Sequence, residues 1–253
     1  MARVAAAAAE HDAQSAAPMG LVVSLYTAEH VARVARVLQL RRGHALLLGE
    51  AGSGRRSTVR LTAHMLGLAC IEVEAPGEWR RKIADALRET GFGRAHGAAL
   101  LVRARVLRDA AVMEGVSALV HGSAAALSLL SRADQLEIAE ALRAEAAGGA
   151  AAAAASRAPS SASALSASAS GGGPEEPGQL GQALQHVMGG FLARALDGVH
   201  LVVCLDPASD DLGAALRELP ALAHCYTDVF PEWGRDTLTD VAAAVLAPPP
   251  PPP

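Results

Sequence analysis

The stretch Gly49-Glu50-Ala51-Gly52-Ser53-Gly54-Arg55-Arg56-Ser57 has residue types and spacing that could do chemistry. It joins the apolar run Ala45-Leu46-Leu47-Leu48 to a helical pattern from about Arg55 to Leu66, the strand, loop and helix order of a phosphate-binding loop. Glycines let successive backbone N–H groups curl round an anion. The helix start behind them adds unsatisfied donors and the positive end of its dipole. The standard spacing is G-x-x-x-x-G-K-[ST], and here Arg55 stands at the Lys position and Arg56 at the hydroxyl position. Arg55 keeps the charge but replaces a compact ammonium with a planar fork. Arg56 cannot ligate a cation, and Ser57, one residue later, is turned by about 100° round the helix. The loop therefore predicts phosphate binding in altered geometry, with no catalytic group and no metal ligand of its own.

Composition excludes several other functions. The chain has 253 residues and a net charge of −4, which gives no electrostatic basis for binding nucleic acid or an anionic membrane surface. Cys70, Cys204 and Cys225 are unclustered and lack metal-ligand spacing, so they read as reduced thiols, small residues of a core. No strongly apolar run approaches the roughly 20 residues of a membrane helix. Met1 to Ala17 carries Glu10 and Asp12 and lacks a bulky apolar segment, so it does not read as a secretory signal, and the expected compartment is the cytoplasm.

The elements that must position the loop follow from hydrophobic periodicity. Residues 1–20 are expected to be a disordered N-terminus. Thr27 to Leu40, with Val31, Val34, Val37 and Leu38 on one side, reads as an amphipathic helix capped by Thr27. Ala45 to Leu48 is a strand buried on both faces. Leu68 to Val73 and Ala98 to Val102 are further strands, separated by a helix from Glu78 to Thr90 whose Arg80, Arg81 and Lys82 form a solvated side. Helical patterns follow near Arg108 to Val120 and Arg132 to Ala146. Residues 148–181 are Ala, Ser, Gly and Pro with almost no bulky apolar residue, the composition of a disordered insertion. Gln182 to Leu196 reads as a helix, Val199 to Leu205 as a buried strand, Leu212 to Leu219 as a helix and His224 to Phe230 as a fifth strand. The 248–253 proline tail is polyproline II-like. Strands alternating with helices predict an α/β fold with a central parallel sheet, its ligand beyond the carboxyl ends of the strands.

A family resemblance spans most of Leu21 to Val245 outside the insertion. Leu21-Val22-Val23, Glu29 to Val34, Arg42 to Gly49, then Gly52-Ser53-Gly54-Arg55 and Ser57 resemble the start of the fourth AAA+ module of axonemal dynein heavy chains. Trp79 to Gly91, Ala133 to Ile138, Val199 to Cys204 with Pro207, Leu219 to Leu222 and Phe230-Pro231-Glu232-Trp233 are similar to later parts of that module, in the same order. The resemblance implies an AAA+ type three-layer P-loop core split into residues 21–147 and 182–247, the nucleotide-binding residues being Gly49 to Ser57. It implies a regulatory or structural part in a microtubule motor ring, ATP or ADP as ligand, other AAA+ modules and dynein subunits as partners, and a place on the cytoskeleton of a cilium or axoneme. Microtubules would be reached only through the full motor. The 253 residues hold no heptad-rich stalk, linker or companion modules, so the chain reads as a fragment of a longer product or as a free-standing relative.

In such a module the loop Ser/Thr and an acid at the end of the third strand hold Mg²⁺. At that acid's position this chain reads Arg103-Ala104-Arg105, with Ala104 in place of the family's Asp and no acid before Asp109. Asp206 follows the fourth strand where the family has a small polar sensor residue; it also suits capping of the turn at Pro207. Arg217 lies near the position from which such modules offer an arginine to a neighbour's nucleotide, or is a solvated helix residue. Three readings remain open: a weak ATP/ADP-binding module without efficient hydrolysis, a stand-alone P-loop ATPase with atypical metal ligands, and a degenerate piece that binds nothing.

Overall fold

The computed structural model describes residues 1–122, 124–156, 177–208 and 212–246. In chain order the elements are α1 Ala2–Gln14, α2 Leu25–Leu38, β1 Ala45–Gly49, α3 Arg55–Leu66, β2 Ala69–Val73, α4 Trp79–Gly91, β3 Ala98–Arg103, α5 Ala110–His121, α6 Arg132–Ser156, α7 Pro177–Gly198, β4 Val199–Leu205, α8 Leu212–Glu218, β5 Tyr226–Phe230 and α9 Arg235–Leu246. The strands form one parallel sheet in the order β2-β3-β4-β1-β5. β4 thus lies between the glycine-loop strand β1 and β3, although it follows both in sequence.

Every residue of β1 and β4 is buried, as is all of β3 but its last residue, because helices cover both faces of the sheet's centre. Alternation along each strand divides the core in two. Leu46, Leu48, Leu100, Val102, Leu201 and Val203 face Trp79, Ile83 and Leu87 of α4, Val116 of α5 and Phe191 of α7. Ala45, Leu47, Ala99, Leu101, Val202 and Cys204 face Val34 and Leu38 of α2 and Val59 and Ala63 of α3. The three-layer α/β arrangement predicted from the sequence is the one observed.

Four expectations are corrected. Residues 2–14 are helical, not disordered: alanine is the strongest helix former, and Val4 and Ala8 of α1 pack on Val31 of α2 and Leu61 of α3. Asp12 closes the following turn by accepting the N–H groups of Met19 at 2.7 Å and Gly20 at 3.0 Å. The cap of α2 is Ser24, whose hydroxyl accepts from the Thr27 N–H at 3.3 Å, so Thr27 sits in the first turn. Both ends of the presumed disordered insertion are helical. α6 starts from a reciprocal cap between Ser131 and Asp134 and continues through the alanines to Ser156; α7 begins at Pro177, a residue suited to the first helical position. Residues 157–176 of that segment, and the 248–253 tail, lie outside the described residues. The exposed α9 has no counterpart in the sequence-based prediction. Of the cysteines expected in the core, Cys204 and Cys225 are buried, whereas Cys70 is exposed on the edge strand β2.

Candidate functional site

At the carboxyl end of β1 the backbone turns through a cradle that side chains would disrupt. Gly52 and Gly54 both have φ of 89°, in the left-handed region that a β-carbon disfavours. A β-carbon on Gly49 would come within 2.8 Å of the Phe230 carbonyl oxygen and 2.9 Å of Ser53 Oγ. α3 starts directly after Gly54 with no side-chain cap, and a helix start has N–H groups without intrahelical partners. Ser53 is 8% exposed, yet its Oγ has no hydrogen-bond partner among the described residues. A buried polar group left unpaired costs about 1–3 kcal/mol.

The side chains of the loop are held by its surroundings. Arg55 folds across the cradle, donating to the Leu205 carbonyl at the end of β4 and to the Glu50 carbonyl at 2.9 Å. Arg56 turns towards β2 and donates to Glu72 at 2.6 Å and Glu74 at 3.3 Å, while its buried Nε has no partner among the described residues. Arg60, one turn on, donates to the other Glu72 oxygen. Burial alone would raise the Glu72 carboxyl, but the hydrogen bonds from Arg60 and Arg56 outweigh it and hold the group below the usual carboxylate range. From the end of β3, Arg103 donates to the Glu74 carboxylate at 2.8 Å and Arg105 to the Glu74 carbonyl at 3.1 Å.

Asp206 both caps its turn, accepting from Ala208 N–H at 3.0 Å, and reaches the loop, accepting from Ala51 N–H at 3.2 Å. The structure therefore brings Gly49 to Ser57 and Asp206 together. Arg217 is elsewhere: it is exposed on α8 and does not line the clefts beside the loop.

Two clefts flank the cradle. One, of about 590 Å³, is lined by the loop from Ala51 to Ser57 and by Arg60, Arg103, Ala104, Arg105, Cys204 and Asp206. The other, of about 330 Å³, is lined by Glu50 to Ser53 with Phe230, Pro231, Glu232, Trp233 and Leu238. The first is basic, the second apolar and aromatic. Sequence reading treats Arg103-Ala104-Arg105 as a place where acids are missing; the structure makes it the basic wall of the cleft. The parallel register produces that role, since Arg103 pairs with Cys204 and Cys204 with Leu47, two residues short of the loop. Burial pushes the Cys204 thiol up to about 11, which keeps it protonated and unreactive.

The back of the cradle is braced by α2 and β5. Tyr26 donates to the Pro231 carbonyl at 3.0 Å, and burial, with Asp228 nearby, pushes its hydroxyl up to about 12. His30 bonds Asp228 at 2.8 Å and stacks on Phe230 with ring centres 3.8 Å apart. These contacts fix the β5 segment against which Gly49 must fit.

Magnesium, which a P-loop site implies, does not fit the residues present. Arg56 stands at the hydroxyl position of the loop spacing, and the exit of β3, Arg103-Ala104-Arg105, carries no carboxylate. Asp206, the one carboxylate lining the basic cleft, is engaged with the loop. Among the described residues no group of three or more His, Cys, Asp or Glu side chains could hold a metal ion. The glycine cradle and the uncapped start of α3 have the backbone geometry that suits an anion.

Comparison with known proteins identifies the family. The model of the family described as "P-loop containing dynein motor region D4" matches residues 19–249. Dynein axonemal heavy chain 1 of Rattus norvegicus is 26% identical over 236 residues, covering 91% of this chain and 4% of the relative. The Homo sapiens protein of the same name is 25% identical over 236 residues, covering 91% and 5%. The Dynein-1-beta heavy chain, flagellar inner arm I1 complex, of Chlamydomonas reinhardtii is 27% identical over 232 residues, covering 88% and 4%. This chain spans only 4–5% of the length of these relatives. Among the described residues no helix is long and apolar enough to cross a membrane.

Proposed function

The chain belongs to the P-loop dynein motor region D4 family, a dynein AAA+ module, and on that footing we propose that it binds ATP or ADP without hydrolysing it efficiently. The observation that carries this reading is the contrast within one site. The glycine cradle persists, with the buried Ser53 hydroxyl still unpaired beneath it, whereas Ala104 occupies the position of the acid that hydrolysis requires. Loop N–H groups and the start of α3 would hold the phosphate oxygens, Arg55 would turn from its carbonyl partners to the terminal phosphate, and the aromatic cleft beside Phe230 and Trp233 would take the base. Asp206, the carboxylate lining the basic cleft, is engaged with the Ala51 and Ala208 N–H groups and would not be free to position an attacking water, so bound nucleotide would persist.

In this reading the chain acts as the fourth module of a dynein ring, regulatory or structural, beside other AAA+ modules and dynein subunits. It would meet microtubules only through the whole motor, on the cytoskeleton of a cilium or axoneme. The supports are the family match and the axonemal names of the relatives.

The test is titration of the purified chain with a fluorescent ATP analogue while phosphate release is followed. Saturable binding without release is the expected result. Sustained release would favour a stand-alone ATPase with atypical ligands, and absence of saturable binding a degenerate module.

A further inference from the structure

We propose that the basic cleft takes its polyphosphate free of magnesium, with Arg56, Arg103 and Arg105 supplying the positive charge that the metal carries in an ordinary P-loop site. The inference rests on the nucleotide-binding reading above and adds the ionic form of the ligand.

Position is the first argument. In P-loop enzymes Mg²⁺ sits between the loop Ser/Thr and the acid at the end of a neighbouring strand. Here those two positions are Arg56 and Ala104, and Ala104 is flanked by Arg103 and Arg105, all four lining one cleft. The cleft therefore presents guanidiniums where a metal site would present ligands, and these repel a cation.

Charge is the second argument. Five guanidiniums, of Arg55, Arg56, Arg60, Arg103 and Arg105, line the cleft. Three carboxylates, those of Asp206, Glu72 and Glu74, touch the loop or these arginines. With Glu50 of the loop itself counted as well, positive charge still exceeds negative at this cleft.

Orientation is the third. Glu72 and Glu74 tether Arg56, Arg60, Arg103 and Arg105 from the β2 side, much as outer carboxylates orient metal ligands. Simple surface ion pairing would leave these groups satisfied. Among the described residues the buried Arg56 Nε and the buried Ser53 hydroxyl have no hydrogen-bond partner, and both residues line the cleft. Guanidiniums recognise phosphate oxygens in pairs, and the free triphosphate, being more negative than its magnesium complex, gains more from them.

The experiment is calorimetric titration of the whole chain with ATP, and separately with inorganic triphosphate, once in EDTA and once in excess Mg²⁺. The expected result is tighter binding in EDTA for both probes, by about tenfold, and a loss of affinity on the order of tenfold for Arg105→Gln in EDTA. Arg105 is exposed, so this variant is expected to fold. The double variant Arg56→Thr with Ala104→Asp should invert the preference and bind ATP more tightly with Mg²⁺. If the wild-type chain binds ATP equally well or better with Mg²⁺, the proposal is overturned while the nucleotide-binding reading stands. If neither probe binds in either buffer, both fall.

Discussion

β1 and β3 end at the same edge of the sheet with only β4 between them, yet their exits have diverged in opposite senses. At the end of β1 the features of a phosphate cradle persist: left-handed glycines, an uncapped helix start and a buried hydroxyl without a partner. At the end of β3 the chain reads Ala104 between two arginines, with no carboxylate that could hold a metal. A cradle made of backbone is distributed over several φ angles and a helix start, all tied to packing against β5. A catalytic acid is a single side chain at a strand end, and replacing it disturbs little else. Binding geometry can therefore outlast chemistry within one site.

The largest effect should come from striking the coupled side of this comparison. Gly49→Val pushes a side chain into the Phe230 backbone and Ser53 and is expected to destabilise the chain by about 3 kcal/mol. Ala104→Asp at the other exit should cost under about 1 kcal/mol. Denaturant unfolding compares the two, and equal costs would remove the distinction drawn here.

The opposite end of the same strands provides a control far from the cleft. His44 Nδ1 accepts from the Leu201 N–H at 3.0 Å, so its proton sits on Nε2. Burial, then His200 and Arg42, lower it to about 4 from an ordinary 6.5. The unfolded chain therefore takes up a proton first as pH falls. Stability is fully present above about pH 6.5 and is lost between about 6.5 and 4, by about 3 kcal/mol in all. His200 is lowered by burial as well and adds in the same direction. Unfolding measured across this window should show the loss, and His44→Gln should flatten it without altering nucleotide affinity.

A smaller effect is expected at the cradle itself. Arg55→Ala removes the one loop side chain that keeps the Lys charge and should weaken nucleotide binding by about 2 kcal/mol, roughly thirtyfold; unchanged affinity in equilibrium titration would mean that the anion sits elsewhere. The smallest concerns Asp206, whose carboxylate holds the Ala51 N–H that a phosphate would use. Asp206→Asn should tighten binding by about 1 kcal/mol, and weaker binding would make Asp206 a ligand contact.

Much of this was legible in the sequence, for reasons that also mark the limits. Ala45 to Leu48 and Val199 to Leu205 are uninterrupted apolar runs of strand length, and glycines follow the first, so strand, loop and helix could be placed with no tertiary information. Residues 2–14 were harder to place, because their alanine run favours a helix but shows little hydrophobic periodicity, and Val4 and Ala8 find their partners Val31 and Leu61 only in the fold. The basic wall was hidden for a related reason: Arg103 and Arg105 reach the loop only through the β3-β4-β1 register, which a linear pattern does not contain. The aromatic cleft combines the loop with Phe230 and Trp233, which lie some 180 residues away in sequence.

The central claim is best tested by a crystal structure of the chain grown with ATP in a magnesium-free buffer. The account predicts an intact triphosphate lying along Gly49 to Ser57, with Asp206 displaced from the Ala51 N–H and Ser53 Oγ bonded to a phosphate oxygen. A triphosphate bound elsewhere, or a loop that stays closed on Asp206 under saturating nucleotide, would contradict it.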